Sequence, residues 1–220
     1  MLPRVLGRPP VSLPERIAAE LRGEILDGAV RPGERLKEEH LCARFGAGRH
    51  TVRAAIRQLV EWRMVTHERN RGARVPKLSQ EWIDDVYDFR AVLEPGCLRA
   101  AFAHGADFAE VERAVAALER IPADASWRDA NDAHRSIHHA IVAAAGNDRL
   151  LEAYTASEGE MQLLFVALRP SYSIPEVIAI HQDLLAEIRL GERRGVRALA
   201  ADIEHTRQTL QRALHRDLAS

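Results

Sequence analysis

The sequence predicts a mainly α-helical chain with an N-terminal winged helix-turn-helix and a C-terminal antiparallel bundle of helices. Up to residue 75 the order of elements is helix, helix, tight turn, helix and a short hairpin. After residue 80 the apolar residues recur at helical spacing almost throughout, and no segment is a convincing strand. The charge is divided as well. Residues 1–77 carry a net charge of +7 and the remainder carries −8, although the whole chain carries only −1.

The composition indicates a soluble protein of the reducing cytoplasm. Apolar residues make up 46% and charged residues 29% of the 220 residues, which is ordinary for a globular protein. No apolar run is long enough to span a bilayer, and the first residues lack the apolar core of a secretion signal. Cys42 and Cys97 have neither the spacing of a metal motif nor the number needed for a disulfide framework. We therefore expect no membrane partner.

The N-terminal region divides into a flexible arm at 1–12, rich in proline and arginine, and a winged helix-turn-helix at 13–75. A first helix begins at Leu13, because one apolar residue recurs on each turn until Gly28 ends the pattern. A Pro-Gly turn and a short second helix, which stops at Gly46, come next. The third helix opens "RHTVRAAIRQL", and "VTHERNRGARV" alternates and turns, which predicts a two-stranded hairpin.

Residues 76–80 are the predicted linker, and residues 81–216 are the predicted helical domain. Helix-breaking residues divide this domain into roughly six helices, and short loops between helices favour an antiparallel bundle. The breaks lie at His104-Gly105, Ile121-Pro122, Gly146-Asn147, Arg169-Pro170 and near Gly191–Gly195.

The third helix and the hairpin carry basic residues in the pattern of a DNA-binding surface. Arg49, Arg53 and Arg57 follow one another at four-residue steps, so they lie along one helical face. A recognition helix presents its N-terminal residues to the major groove, where arginine pairs with guanine, so Arg49 and Arg53 are candidates for base contact. A solvated arginine stripe is the alternative interpretation. The candidate DNA-contacting residues are Arg49, His50, Thr51, Arg53, Arg57, Arg69, Arg71 and Gly72.

The segment "LRGEILDGAVRPGERLKEEHLCARFGAGRHTVRAAIRQLVEWRMV" resembles the DNA-binding domain of the GntR family of bacterial transcription regulators. The matching positions are Ile25, Gly28, Pro32, Gly33, Leu36, Glu38, Arg49, Val52, Arg53 and Ala55. The chain departs from the family pattern at Gly48, at His50-Thr51, at Ala54 and at Arg63. The resemblance implies DNA contacts by Arg49, His50, Thr51 and Arg53, and it implies that the wing around Gly72 approaches the minor groove.

Three histidines crowd the segment "HRSIHHAIVAAAGN" at 134–147. His134 and His138 are four residues apart and share a face with Ile141 and Val142, whereas His139 leaves that face. His181 has apolar helical neighbours and also faces inward. Two histidines at positions i and i+4 on an apolar face indicate a metal site more than an isolated histidine does. The alternative is that these histidines are packing residues that titrate. The periodicity alone places His205 on the surface.

The region from about Val86 to Leu214 resembles the all-helical effector domain of the FadR subfamily, the FCD type. The resemblance rests on "FRAVLEPGCLRAA", "IHHAIVAAAGN", "IHQDLLAEI" and "ALAADIEH". Metal-containing members hold a divalent ion with one aspartate and three histidines, and the histidines carry over to His138, His181 and His205. The aspartate position is His134 here, so a four-histidine site favours zinc or nickel. Asp132 is the alternative to His134 as a ligand.

A metal inside a helical pocket suits a small organic acid as the effector. Arg90, in the R-x-x-L-E motif of the resemblance, is the candidate for holding the carboxylate. An ion pair between Arg90 and Glu94, one helical turn apart, is an equal alternative.

These observations predict a transcription regulator that binds palindromic operator DNA as a homodimer and responds to a small carboxylate metabolite. A metal sensor, with the ion itself as the signal, is one alternative. The other is a metal-dependent enzyme with a fused DNA-binding module, although only Glu160 and Asp183 suggest themselves as its general base.

Overall fold

The computed structural model describes residues 11–68 and 72–219, and it is mostly helical. The predicted arm therefore lies outside the described residues except for Val11 and Ser12, and Arg69 and Arg71 lie outside them too. The N-terminal elements are α1 (Leu13–Leu26), β1 (Arg35–Leu36), α2 (Glu38–Phe45), α3 (Arg49–Glu61), β2 (Thr66–Glu68) and β3 (Gly72–Arg74). This order confirms the predicted winged helix-turn-helix.

Local sequence signals determine where α1 and α2 begin and end. Ser12 caps α1 through a reciprocal hydrogen-bonding box with Glu15, and Pro14 occupies the first turn, where its missing N–H is not needed. Gly46 ends α2 with φ of 57°, a left-handed conformation that glycine adopts without steric cost.

The wing differs from the prediction in having a third strand. β3 pairs with β2, as a hairpin should, but it also pairs antiparallel with β1, so the strand order is β1-β3-β2. Leu36 of β1 lies opposite Ala73 of β3, and both side chains are buried. A strand of two residues is too short to show a period of two, so the sequence pattern did not reveal it.

The C-terminal region is entirely helical in its described part. Its helices are α4 (Gln80–Ala103), α5 (Ala109–Glu119), α6 (Trp127–Ala143), α7 (Asp148–Thr155), α8 (Glu158–Ala167), α9 (Ile174–Arg189) and α10 (Glu192–Ala219). Seven helices replace the roughly six that we expected, because α7 and α8 are separated by a short turn without glycine or proline. No helix among those described has the length and apolar character needed to cross a membrane.

The helical bundle has one large apolar core, to which α4, α5, α6, α8, α9 and α10 all contribute. Helix α10 packs mainly along α4 and α9, and α6 packs against α4 and α5. This arrangement places one face of α6 at the centre of the bundle. Ile137 and Ile141 on that face are fully buried.

The two domains pack tightly against each other through α8. Leu163 of α8 belongs to the apolar core of the N-terminal domain rather than to the bundle core. A Cβ atom added to Gly159 would lie 1.7 Å from the carbonyl oxygen of Trp62, so only glycine allows this approach. The N-terminal domain is therefore held on the bundle by close contact as well as by the linker.

Candidate metal centre and nucleic-acid interface

Three of the four predicted metal ligands converge inside the bundle. One ring nitrogen from each of His134, His138 and His181 lies within 4.8 Å of the other two. His134 and His138 project from successive turns of α6, and His181 projects from the middle of α9. His138 and His181 are buried, and His134 is half-buried with its ring stacked on that of Phe165 at a centroid distance of 4.1 Å.

Hydrogen bonds place a proton on the Nδ1 atom of two of these rings. His181 Nδ1 lies 2.8 Å from the carbonyl oxygen of Val177, which only accepts, so Nδ1 carries the proton and donates it. His138 Nδ1 lies 2.8 Å from the carboxylate of Glu94 and donates in the same way. In the neutral form of both rings the two Nε2 atoms carry lone pairs, and they face each other at 3.4 Å.

Two imidazole lone pairs at this separation repel each other unless a cation or a proton lies near both. Two nitrogen ligands on a tetrahedral zinc ion are about 3.3 Å apart, given Zn–N distances of about 2.0–2.1 Å. The observed 3.4 Å therefore fits a shared metal ion. The contact between His138 and Glu94 is also the carboxylate–histidine arrangement that orients metal ligands from behind.

Burial favours the neutral form, which binds metals, for two of these imidazoles. Burial lowers the pKa of His134 well below its ordinary value, and the neighbouring rings of His138 and His181 lower it further. Burial also lowers the pKa of His181, an effect that the nearby Asp202 carboxylate opposes.

The structure does not bring His205, the fourth predicted ligand, into this group. His205 is exposed on α10, and its ring lies 6.5 Å from that of Tyr172. Asp202, one helical turn earlier, lines a cavity together with His134 and His181. The sequence contained a signal for this, since Asp202 follows buried Leu199 by three residues and so lies on the inward stripe of α10.

Asp132, the alternative ligand, lies elsewhere. Its carboxylate forms an ion pair with Arg22 of α1 and accepts a hydrogen bond of 3.0 Å from Gln162 Nε2. The third histidine of the segment, His139, turns away as predicted, and its Nδ1 contacts Glu158 at 2.7 Å.

Arg90 is buried, and its guanidinium is already engaged. Its Nε donates to Glu94 at 2.6 Å, and the guanidinium lies 5.1 Å above the ring of Tyr87. Burial alone would raise the pKa of Glu94, but the charge of Arg90 and the hydrogen bonds from Arg90 and from His138 Nδ1 outweigh burial and lower this pKa to about 2. The structure thus favours the Arg90–Glu94 pair over a carboxylate-binding Arg90, and Arg90 supports His138 through Glu94.

A cavity opens beside the histidines on the α6 and α8 side. Its walls include Tyr87, Tyr154, His134, His138 and Asn131. Burial raises the pKa of Tyr87 to about 12 and that of Tyr154 well above its usual range, so both hydroxyls stay protonated. Protonated hydroxyls beside a cation site suit an oxygen-rich anion.

The basic residues of α3 lie on an exposed surface beside the wing. Arg49, His50, Arg53 and Arg57 are exposed, and Thr51 is half-buried. The opposite face of α3 is buried, as its periodicity predicted, through Val52, Ala55, Ile56 and Leu59. Among these residues Arg53 is held in place, because its Nε donates to Glu38 at 2.9 Å.

A groove between α3 and the wing contains further basic residues that lie outside the arginine pattern of α3 and the hairpin. Arg35, Lys37, Arg49, Arg53 and Gly72 line this groove. Gly72 has φ of 77°, and a Cβ atom there would lie 3.2 Å from Arg35 Nε. Arg35 is exposed and lies on β1, the strand that the sequence pattern did not reveal.

Comparison with known protein families identifies the family to which this chain belongs. The family described as bacterial regulatory proteins, gntR family, matches residues 13–75, and the FCD domain matches residues 85–216. The chain is a GntR-family transcription regulator with an FCD domain. Its winged helix-turn-helix coincides with the segment that matches the gntR family.

Several relatives of this GntR regulator are named as repressors. It is 33% identical over 138 residues to the HTH-type transcriptional repressor GlaR of Escherichia coli, a match that spans 60% of this chain and 63% of GlaR. It is 26% identical to the galactonate operon transcriptional repressor of the same organism, over 80% of this chain and 86% of that repressor. The chain thus matches somewhat less than two thirds of the length of GlaR.

Solved structures agree with this fold. The crystal structure of a GntR transcriptional regulator from Rhodococcus sp. RHA1 superposes with a TM-score of 0.77 and 25% sequence identity, over 90% of this chain and 97% of that one. These comparisons point to a regulator rather than to an enzyme.

Proposed function

We propose that this regulator, a member of the FadR subfamily acting in the cytoplasm, changes its operator affinity when a small organic acid binds beside a divalent metal in the FCD domain. The proposed ligands of the metal are His134, His138 and His181, with the Asp202 carboxylate in the fourth position. The metal is zinc, with nickel as the alternative. The observation that carries the proposal is the 3.4 Å approach of the Nε2 atoms of His138 and His181, each of which lines a cavity that His134 also lines.

The protein residues around the histidines prepare the cavity for an anion. A bound divalent metal would supply the positive charge that attracts a carboxylate. Tyr87 and Tyr154 offer protonated hydroxyls on the cavity wall. Glu94 takes up the charge of Arg90 and orients His138, so that its Nε2 points toward the metal position.

A short chain of hydrogen bonds links the cavity wall to the DNA-binding domain. Gln162 lines the cavity, and its side chain donates to Asp132, which is ion-paired with Arg22 of α1. An acid that moves the side chain of Gln162 would disturb this connection and so change how the domain sits on the bundle. Binding at the metal and binding to DNA are then thermodynamically coupled, which is the requirement for allosteric control.

The proposed DNA-bound form is a homodimer on a palindromic operator. Two-fold symmetry would place two α3 helices in successive major grooves. Arg49 and Arg53 are the proposed base-contacting residues, and Arg35, His50, Thr51 and Arg57 contribute phosphate or supporting contacts. Arg69, Arg71 and Gly72 supply the proposed wing contacts. Light scattering of the free protein and of its DNA complex tests the two-to-one stoichiometry.

The decisive experiment titrates a duplex, selected from random DNA by the zinc-loaded protein, with the full chain in the presence and absence of a panel of carboxylic acids. Fluorescence anisotropy measures the affinity. We expect at least one acid that stabilises the protein against heat to change the affinity fivefold or more, and we expect a chelator to abolish this change. Equal affinity with every acid that binds would overturn the proposal.

A metal sensor is the second candidate, because the histidine cluster and its Glu94 support are complete without any organic ligand. A change of DNA affinity with zinc alone, without acid, would favour it. The two candidate general bases do not support the third candidate, a metal-dependent enzyme. Glu160 binds Arg63 and Trp82, and Asp183 is exposed, so the structure places neither among the clustered histidines.

A further inference from the structure

Asn131 carries a buried oxygen atom without a hydrogen-bonding partner. The side chain is 0% exposed, and its Nδ2 donates to the carbonyl oxygen of Gln162 at 2.9 Å. Its Oδ1 has no hydrogen-bonding partner in the part of the chain that the structure describes. Leaving a buried acceptor unpaired costs about 1–3 kcal/mol, so such an atom calls for an explanation.

The Oδ1 and Nδ2 atoms of the Asn131 amide cannot be exchanged. Exchanging Oδ1 and Nδ2 would place an oxygen against the carbonyl oxygen of Gln162, and two acceptors repel each other. The free atom is therefore the oxygen, and it requires a donor.

The position of Asn131 relates this atom to the histidines. Asn131 precedes His134 by three residues and His138 by seven on α6, so the three side chains lie on one face of the helix. All three line the same cavity. One helical turn separates Asn131 from His134, which is about 4.5 Å along the axis. The cavity has a volume of only about 20 Å³ in this structure, so a small molecule that reaches both the metal position and Oδ1 must displace side chains of the cavity wall.

We propose that Asn131 recognises a hydroxyl group of the effector, so that the effector is a small hydroxylated carboxylate. This inference rests on the proposed function, because it assumes that the carboxylate lies at the metal. The carboxylate would be held beside His134 and His138 while a hydroxyl two to four bonds away donates to Asn131 Oδ1. The same amide holds the backbone of Gln162, whose side chain continues to Asp132 and Arg22.

The charges around the cavity favour a hydroxyl over an ammonium group as the donor. Arg90 and Arg135 line it and are paired with Glu94 and Glu158, so a bound metal ion would supply the unpaired positive charge. An ammonium group would be repelled there, whereas a hydroxyl carries no charge. Amino acids are therefore expected to bind less well than hydroxy acids of the same size.

The test is calorimetric titration of the zinc-loaded full chain with matched pairs of acids, namely lactate with propionate and malate with succinate. We expect the hydroxy acid of at least one pair to bind ten times more tightly or better, because its deoxy partner leaves Oδ1 unpaired. Alanine and aspartate serve as the ammonium counterparts of lactate and malate. Asn131→Leu, which keeps the volume and removes Oδ1, should reduce the preference to about twofold or less, whereas Gln182→Leu on the surface should leave it unchanged.

Each outcome decides a different question. Equal binding within both pairs, as would occur if a water molecule satisfied Oδ1, overturns this inference and leaves the proposed function standing. Binding of zinc without binding of any of these acids overturns the inference and contradicts the proposed effector class. A preference that persists in Asn131→Leu overturns the role of Asn131. If that variant does not fold, the ratios measured on the natural chain still decide the inference.

Discussion

Arg22 of α1 and Asp132 of α6 form an ion pair that joins the DNA-binding domain to the FCD domain. A second contact between the two side chains, Nη1 to Oδ2, measures 3.4 Å. Both side chains are partly exposed, with 24% and 40% of their area accessible, so solvent screens the pair and its contribution to folding is at most about 1 kcal/mol. Its position between the domains gives it more importance for coupling than for stability.

Arg22→Met should therefore weaken communication without unfolding the protein. We expect the effect of an acid on operator affinity to fall at least threefold, while zinc affinity stays the same. Anisotropy titrations with and without the acid measure the change. Arg16→Met removes an exposed arginine from the same helix and is the control. An acid response that is equal in both variants would show that coupling does not pass through Arg22.

The proposed metal site includes His181 and Asp202 and excludes His205, so substitutions at these residues should affect zinc binding differently. His181→Gln should lower zinc affinity at least a hundredfold, and Asp202→Asn should lower it about tenfold or more, because each removes a proposed ligand. His205→Gln should bind zinc as the natural chain does, because His205 is exposed. Competition with a zinc chelator of known affinity provides the measurement. Loss of zinc binding in His205→Gln would contradict the assignment.

The contact between Gly159 and Trp62 is expected to be intolerant of any side chain. Gly159→Ala would place a Cβ atom 1.7 Å from the Trp62 carbonyl oxygen, so the domains must move apart, at a cost of about 1–3 kcal/mol or more. Gly96→Ala is the matched control, since beyond its chain neighbours and the adjacent backbone of its own helix no described atom lies within 4 Å of its added Cβ. We expect that change to stabilise the protein by up to about 1 kcal/mol. Urea denaturation followed by circular dichroism measures both, and equal midpoints would refute the contact.

The metal-free chain should lose stability as the pH falls below 6.5. Burial lowers the pKa of His134 and His181 in the folded state, whereas the unfolded chain keeps values near 6.5. The unfolded state therefore binds more protons in this window. The stabilising contribution is complete above pH 6.5 and is lost as the pH falls toward the lowered values. Urea denaturation with chelator between pH 7.5 and 5 measures the slope, and replacing both histidines with glutamine should flatten it. Parallel curves would contradict the expected linkage.

We expect arginines that contact phosphates and arginines that contact bases to differ in how their substitution changes the salt dependence of DNA affinity. Arg57→Ala should weaken all duplexes about equally and reduce the salt slope by about 1, as expected for a phosphate contact. Arg49→Ala should cost about 1–3 kcal/mol on the selected duplex and relax its specificity at one base pair. Arg113→Ala on α5 is the control. Uniform loss in the Arg49 variant would reassign this residue to the phosphates.

Much of this architecture could be predicted because it depends on local periodicity. The apolar positions of α3, namely Val52, Ala55 and Leu59, are buried as their spacing indicates. The four-residue step between His134 and His138 likewise predicted that both rings meet, and their centroids lie 4.7 Å apart. In both cases one helix contains all the information needed.

Features that depend on the packing of several helices were harder to predict from the sequence. The choice between Asp202 and His205 depends on the rotation of α10 against α9, which the resemblance in sequence did not resolve. The pairing of Asp132 with Arg22 joins residues 110 positions apart. The engagement of Arg90 by Glu94 was one of two open alternatives, and the hydrogen bond between these buried side chains favours it.

The insertion of Leu163 among the side chains of the first domain limits how far this regulator is modular. Exchanging its winged helix-turn-helix for that of a relative would leave α8 facing an unmatched surface, even if the linker were preserved. To keep the operator preference of the donor, a chimera would have to include the donor's α8 together with its winged helix-turn-helix. We therefore expect substitutions in α8 and substitutions in the surface of the first domain that it contacts to be correlated among orthologues.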